Sequence, residues 1–184
     1  RSNSKNIGFN FATEVKNLEM GGSARYQYNG NDTRNWSSTK SFVTSQGAFS
    51  NSESLSRSSA NNWNAQFRFE WTPDSLTNII FRPSGNLTKN KGYSDNESAN
   101  FSDDPNKVSD EPLDDAINGV DVDGLMAMIV NTNVNTQQTY SENKRLAGEL
   151  QANRRLNDYG RNITLRATGN FGSSESKQLS AANI

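Results

Sequence analysis

The feature that most constrains this chain is a strict alternation of apolar and polar residues over positions 62–87. In NWNAQFRFEW, the residues Trp63, Ala65, Phe67, Phe69 and Trp71 alternate with polar ones. A period of two is that of a β-strand with one apolar and one polar face. The next four residues, TPDS, contain the turn formers proline and aspartate, and NIIFRPSGNL alternates again. The stretch predicts a β-hairpin whose apolar face contacts either a protein core or lipid.

The composition of the 184 residues excludes several kinds of protein. Mean hydropathy is -0.88 and no run of about 18 apolar residues occurs, which excludes a transmembrane helix. The formal net charge of -1 gives no indication of nucleic-acid binding. Cysteine and histidine are absent, so disulfides, thiolate metal sites and a Ser-His-Asp triad cannot form. We expect neither an enzyme nor a bound cofactor.

The same alternation recurs along the chain and predicts about six antiparallel strands. Short connections at 15–18, 72–76 and 157–160 alternate with long ones at about 30–60 and 88–135. Weak alternation indicates that the strands flanking the first long connection run on and meet near 45–51, and the apolar content of 113–130 fits a short helix. All short turns then lie at one end of the sheet and all long loops at the other. That arrangement is typical of an outer-membrane β-barrel, with short periplasmic turns and long extracellular loops.

A soluble β-sandwich also alternates, but the spacing of aromatic residues favours transmembrane β-strands. Trp63 and Trp71 are eight residues apart, about 26 Å along a strand. A strand tilt of about 40° makes this roughly 20 Å in height, near the separation of the two aromatic girdles of a barrel. Tyr26 and Tyr28 are further candidates for the lipid girdle. Together with Trp36, the two tyrosines are alternatively a platform for sugar stacking.

Six charged residues fall well inside the predicted strands, on the polar face. They are Arg25, Arg68, Glu70, Arg82, Glu149 and Arg166. In a barrel this face lines the lumen, so the six predict a charged lining that binds a solute or a plug domain. The alternative is an ion-pair ladder across neighbouring strands, which satisfies the charges without any ligand.

The sequence DVDG at 121–124 matches part of a calcium-loop pattern, which makes Asp121 and Asp123 candidate metal ligands. The bidentate glutamate of a complete loop is missing at the twelfth position. The alternative is an acidic, solvated surface loop, and we assign no metal site.

Four segments carry a resemblance to a known family. They are GFNFATEVKNLEMGGSARYQY, NWNAQFRFEWTPDSLTNIIFRPSGNL, SENKRLAGELQANRRLNDYGRNITLRA and the DDP at 103–105. Together they resemble the barrel region of Bacteroidota outer-membrane proteins of the TonB-dependent-receptor type. The resemblance implies a large single-chain barrel in the cell outer membrane, an N-terminal plug domain, and energy supplied through the TonB complex.

We therefore expect residues 1–184 to be an all-β, partial outer-membrane β-barrel domain. The chain begins at Arg1 without a Met, and six strands are fewer than the eight of the smallest single-chain barrels, so we expect a fragment that closes only with the rest of its barrel. The expected function is TonB-dependent nutrient uptake, with outer-membrane lipid, the plug, the TonB complex and an unknown solute as partners. Alternatives are a barrel that acts as an adhesion scaffold without transport, and a secreted soluble β-protein.

Overall fold

Six long strands form a single antiparallel sheet in a computed structural model that describes residues 1–41, 49–156 and 160–183. The strands are β1 Ser2–Val15, β2 Leu18–Lys40, β3 Phe49–Asp74, β4 Thr77–Phe101, β5 Ile129–Arg155 and β6 Asn162–Asn183. They are hydrogen-bonded in sequence order, and no pairing joins β1 to β6 in the ranges described, so the sheet is open. The predicted all-β fold of six antiparallel strands is confirmed.

The strands are longer than usual, because most of the two long connections is itself strand. β3 and β5 have 26 and 27 residues, whereas strands of globular proteins usually have 3–10. β2 and β3 pair through most of 30–60, as the run-on of the flanking strands predicts, and the predicted tip near 45–51 lies mostly outside the described residues. The second connection was predicted to span 88–135, but in the structure it spans only residues 102–128. The predicted loop boundaries were therefore too wide.

The β3–β4 hairpin closes through the side chain of Asp74. Its Oδ1 accepts a hydrogen bond from the backbone N–H of Leu76 at 2.8 Å, and its Oδ2 accepts one from the Thr77 hydroxyl at 3.2 Å. These bonds stabilise the carboxylate and lower the pKa of Asp74. The turn lies at 75–76, slightly later than predicted, and Pro73 belongs to β3. Of the third predicted short turn, residues 157–159 lie outside the described residues.

Residues 102–128, here called the cap, connect β4 to β5 and contain short helical segments. These are helix α1, Pro112–Asn118, and two 3-10 turns, Pro105–Lys107 and Leu125–Met128. The short helix predicted within 113–130 is confirmed. α1 ends at Gly119, whose φ of 70° lies in the left-handed region that glycine adopts without steric cost.

The cap encloses a small hydrophobic core against the sheet. Ala99 and Phe101 at the end of β4 pack with Leu113 and Ala116 of α1 and with Leu125. Phe101 and Leu125 have no exposed surface. The cap is therefore a folded element that is anchored to one face of the sheet.

The register sorts the side chains of all six strands onto two faces, because Cα partners in adjacent strands point to the same side. We call the side of Phe67 the front face and the side of Arg68 the back face. One row of the front face consists of Phe9, Ala24, Ala65, Gly85, Leu146 and Phe171, which are successive register partners from β1 to β6. We call the end of the sheet with the short hairpin turns the turn end, and the opposite end the cap end.

Candidate membrane-contacting surface

An apolar band crosses the front face of all six strands. Its row at the turn end is Val15, Leu18, Trp71, Ile79, Ala152 and Leu165, and its row toward the cap end is Ile7, Tyr26, Trp63, Leu87, Lys144 and Ser173. From the turn end up to the row of Phe9, the band contains no charged residue. Leu165 and Phe171 keep 67% and 66% of their surface exposed. A contiguous exposed apolar surface of this extent marks a contact with lipid or with protein.

Aromatic rings organise the middle of the band. The ring centroids of Phe11 and Phe67 are 6.1 Å apart, and Phe69 lies 6.3 Å from Phe81. The Phe67 ring lies directly over Gly22 of β2, since a Cβ added to this glycine would approach the ring within 2.3 Å. The absence of a side chain at position 22 thus lets the aromatic row cross β2.

The predicted girdle residues lie on the front face at the two margins of the band. The Tyr26 and Trp63 rings lie 4.3 Å apart between centroids and are tilted by 34°, and the Tyr26 hydroxyl donates to Asn61 Oδ1 at 2.8 Å. Trp71 lies at the turn end and is 49% exposed. Tyr28 lies one row above Tyr26, opposite Asn61. Trp36 is eight residues further along β2, roughly 26 Å away, so these aromatic residues do not form one sugar-stacking platform.

Five of the six predicted charged residues form ion pairs on the back face. Arg82 and Arg166 contact the two carboxylate oxygens of Glu149 at 2.9 and 2.7 Å. Arg68 pairs with Glu70 of the same strand. These contacts bridge β4, β5 and β6 behind the apolar band, as in the ion-pair alternative considered above.

Arg25 stands apart from these pairs. It lies between Gly8 and Asn64 in the register, and the described part of the chain offers it no ion pair. Arg145 of β5 lies in the same back-face row, opposite Asn86. Toward the cap end, every back-face position beyond this row is Ser, Thr, Asn, Gln, Gly or Ala. This long uncharged surface was not predicted, because 88–135 was expected to be a loop and the run-on strands within 30–60 were not assigned faces.

The front face changes character immediately beyond the band. Ion pairs replace apolar residues there: Lys89 contacts Glu142 at 3.0 Å, Lys177 contacts Glu175 at 2.6 Å, and Arg57 contacts Asp32 at 3.3 Å. The Glu142 carboxylate also accepts from Lys144 and from the Tyr140 hydroxyl. Its hydrogen bonds to Lys144, Tyr140 and Lys89 lower the pKa of Glu142 to about 2.

Glu142 was not among the predicted site residues, although its place on the front face can be predicted from the sequence. Continuing the front-face parity of β5 from Leu146 back through Lys144 places Glu142 and Tyr140 on the same side. The register then brings Glu142 opposite Lys89. Extending each strand past its apolar part is therefore enough to identify this charged cluster.

The candidate metal ligands Asp121 and Asp123 lie in the turn before the second 3-10 segment of the cap. Asp121 Oδ1 accepts a hydrogen bond from the backbone N–H of Met126 at 3.0 Å. Asp123 has a φ of 46° and precedes Gly124, whose φ is 85°. Throughout the described ranges, three or more acidic side chains nowhere come close enough together to hold a metal ion.

Among the described residues, the helical segments are all too short or too polar to cross a membrane. The chain matches no protein-family model, and a comparison with curated proteins also finds no match.

Proposed function

We propose that this chain forms part of the wall of an outer-membrane β-barrel receptor or transporter, with the apolar band against lipid and the back face toward the lumen. The observation that carries the proposal is the continuity of the band across six strands. A soluble sandwich covers such a face with a second sheet. A barrel wall covers it with lipid.

The dimensions of the band support lipid as the partner. Trp63 and Trp71 mark its two margins on β3, and their separation amounts to roughly 20 Å in height at a tilt of about 40°. The lipid-facing band of membrane barrels is about 25 Å tall. Each unpaired backbone group on an open sheet edge costs several kcal/mol in lipid. The proposal therefore requires further strands, which pair with β1 and β6 and close the barrel.

The proposed transport function rests in addition on the resemblance to TonB-dependent receptors. In such a protein a plug domain fills the lumen and the TonB complex supplies energy. The ion pairs of the back face then stabilise the lumen wall, and Arg25, which the described residues leave unpaired, is available to the solute or the plug. The loops near the cap lie on the cell surface.

A single-cysteine scan tests the facing of the wall, and the chain has no cysteine of its own to interfere. In the full-length protein in outer-membrane vesicles, cysteines at positions 64, 66 and 68 should react with a membrane-impermeant maleimide through the lumen. Cysteines at 65, 67 and 69 should react only after detergent is added. Equal labelling of neighbouring positions would contradict the proposal.

A second candidate function is a surface-interaction scaffold without transport, and the folded cap favours it. The cap has its own buried core and exposes Val120 and Met126, which are 47% and 42% accessible. Deleting residues 103–127 from the full-length protein separates the two functions. The scaffold function predicts loss of cell adhesion with an intact barrel. The transport function predicts unchanged adhesion and, in the undeleted protein, nutrient uptake that a protonophore abolishes.

A further inference from the structure

Four lysines on β4–β6 lie at one margin of the apolar band on the front face, and Lys5 of β1 lies in the same register row as Lys89. Lys89 and Lys91 belong to β4, Lys144 to β5 and Lys177 to β6. We call these four residues the collar. At the turn end, the front face of the strands carries no comparable group of lysines. The collar thus gives the two margins of the band different chemistry.

The register brings the collar lysines close together. Lys91 and Lys177 are both register partners of Tyr140, one on each side of β5. With adjacent strands about 4.8 Å apart, their Cα atoms are about 10 Å apart. Two extended lysine side chains span that distance and can approach a single anion from both sides.

Only part of the collar charge is neutralised by the protein. Glu142 forms ion pairs with Lys89 and Lys144, and Glu175 forms one with Lys177. Lys91 is exposed and forms no ion pair with any residue that the structure describes. Four lysines against two glutamates leave an excess of two positive charges, so the collar has capacity for an external anion.

A shallow groove of about 1030 Å³ crosses the sheet at this level. Its lining includes Tyr28, Arg57, Lys91, Tyr140, Lys177 and Leu179. Leu179 is 68% exposed, and the tyrosine rings add further apolar surface. A groove that combines cations with apolar surface suits an anion that is attached to an apolar body.

The distance between the collar and the apolar band favours a lipid headgroup over a free anion as the ligand. Lys89 is two residues and Lys91 four residues beyond Leu87 in the band, about 7 and 13 Å along the strand. With a tilt of about 40°, these become about 5 and 10 Å in height. The headgroup layer of each leaflet is about 5–8 Å deep, and lysine side chains reach several ångströms toward it.

We infer that the collar binds the phosphate of a lipid whose headgroup is a phosphomonoester, in the leaflet at the cap end. This rests on the proposed membrane-spanning function. Lys91 and Lys177 contact the phosphate, and Tyr140 lies between them. Glu142 positions Lys89 and Lys144 at the edge of the hydrocarbon.

The test measures lipid selectivity at the protein surface. The full-length protein is reconstituted in phosphatidylcholine, and the association of spin-labelled phosphatidic acid is compared with that of spin-labelled diacylglycerol, which lacks the phosphate. The wild type should prefer phosphatidic acid. The double variant Lys91→Gln/Lys177→Gln should lose this preference by roughly fivefold per lysine.

Two controls separate site-specific binding from a general effect of charge. Lys91→Arg/Lys177→Arg should keep the preference, and Lys107→Gln, which removes a charge from the exposed cap, should leave it unchanged. A preference that survives in the double glutamine variant overturns the inference. Its loss on adding tens of millimolar inorganic phosphate also does so, because the ligand is then free phosphate.

Failure of the underlying function gives a different result. A protein that inserts and shows the alternating cysteine labelling, yet has no preference for phosphatidic acid, overturns the collar site alone. A protein that does not insert overturns both proposals.

Discussion

The turn-end half of the sheet and its cap-end half place their charges on opposite faces. In the turn-end half the front face is apolar up to Arg154, which lies next to the turns, and the ion pairs around Glu149 lie on the back. In the cap-end half the ion pairs around Glu142 lie on the front, and the back face is an uncharged surface of Ser, Thr, Asn and Gln. The strands run through both halves without interruption.

This difference shows that alternation of residue types along a strand predicts two distinct faces but does not predict what each face contacts. The same period of two separates apolar from charged residues in one half, and charged from neutral polar residues in the other. We propose that the inversion arises from a change in the surroundings at the row of Trp63 and Lys144. In our proposal that row is the edge of the hydrocarbon, beyond which water makes front-face charges inexpensive.

Introducing a charge in the middle of the apolar band should have the largest effect and is the strongest test of the difference between the two halves. Phe67→Lys places an ammonium group midway between Trp63 and Trp71, which costs about 2–4 kcal/mol at the bilayer midplane. The loss of the ring over Gly22 adds to this cost. We expect the full-length protein to fail to assemble, measured as loss of the heat-modifiable outer-membrane form. Gln66→Lys on the back face is the matched control and should assemble, whereas equal behaviour of the two variants would show that the assigned facing is wrong.

Opening the cap core should have the next largest effect, confined to the cap-end half. Leu125→Ala removes a fully buried side chain and should destabilise the docked cap by about 2–3 kcal/mol. Limited proteolysis within 102–128 should accelerate, while the heat-modifiable form persists. Met126→Ala changes a half-exposed neighbour and should have little effect. If both variants are cleaved like the wild type, the cap core does not hold the cap in place.

Titration of Glu142 should have the smallest effect and is confined to the margin between the halves. Because its pKa is lowered to about 2 from an ordinary 4.5, the carboxylate stabilises the fold at all pH values above 4.5. That stabilisation is lost as the pH falls from 4.5 to 2. Wild type and Glu142→Gln should therefore differ in melting temperature at pH 6 and converge near pH 2. A difference that is the same at both pH values would contradict the assigned ion pairs.

The strands, the two faces and the helical segment of the cap could be predicted from the sequence. The alternation from Trp63 to Trp71 is strong because large apolar and charged residues occupy opposite faces. Beyond Tyr28 the contrast between an apolar and a polar face disappears, since both faces of β2 and β3 are then mostly polar. The low contrast made the prediction of run-on strands within 30–60 a weak one, and pairing between β2 and β3 is what keeps these residues extended.

The clusters of the candidate surface could be predicted only in part, since they depend on register. Arg82, Glu149 and Arg166 were placed on one face by parity, but parity does not bring the three into contact. The register of β4 with β5 and of β5 with β6 does so. The collar depends on the same information, because Lys91 and Lys177 are separated by most of the second half of the chain and meet only through Tyr140.

The pairing of each strand with its sequence neighbour has a consequence for how the sheet forms. The residue pairs nearest each hairpin turn need only a short loop to close, whereas pairs far from the turn, such as Phe49 and Phe101, are distant in sequence, so we expect each hairpin to form from its turn outward. The only wide closure within the described ranges is the one between β4 and β5, where the cap must be bridged. We expect the β1–β2 and β3–β4 hairpins to form early. Pairing of β4 with β5 should be the slow step, because the 102–128 connection between these strands is the longest that must be closed.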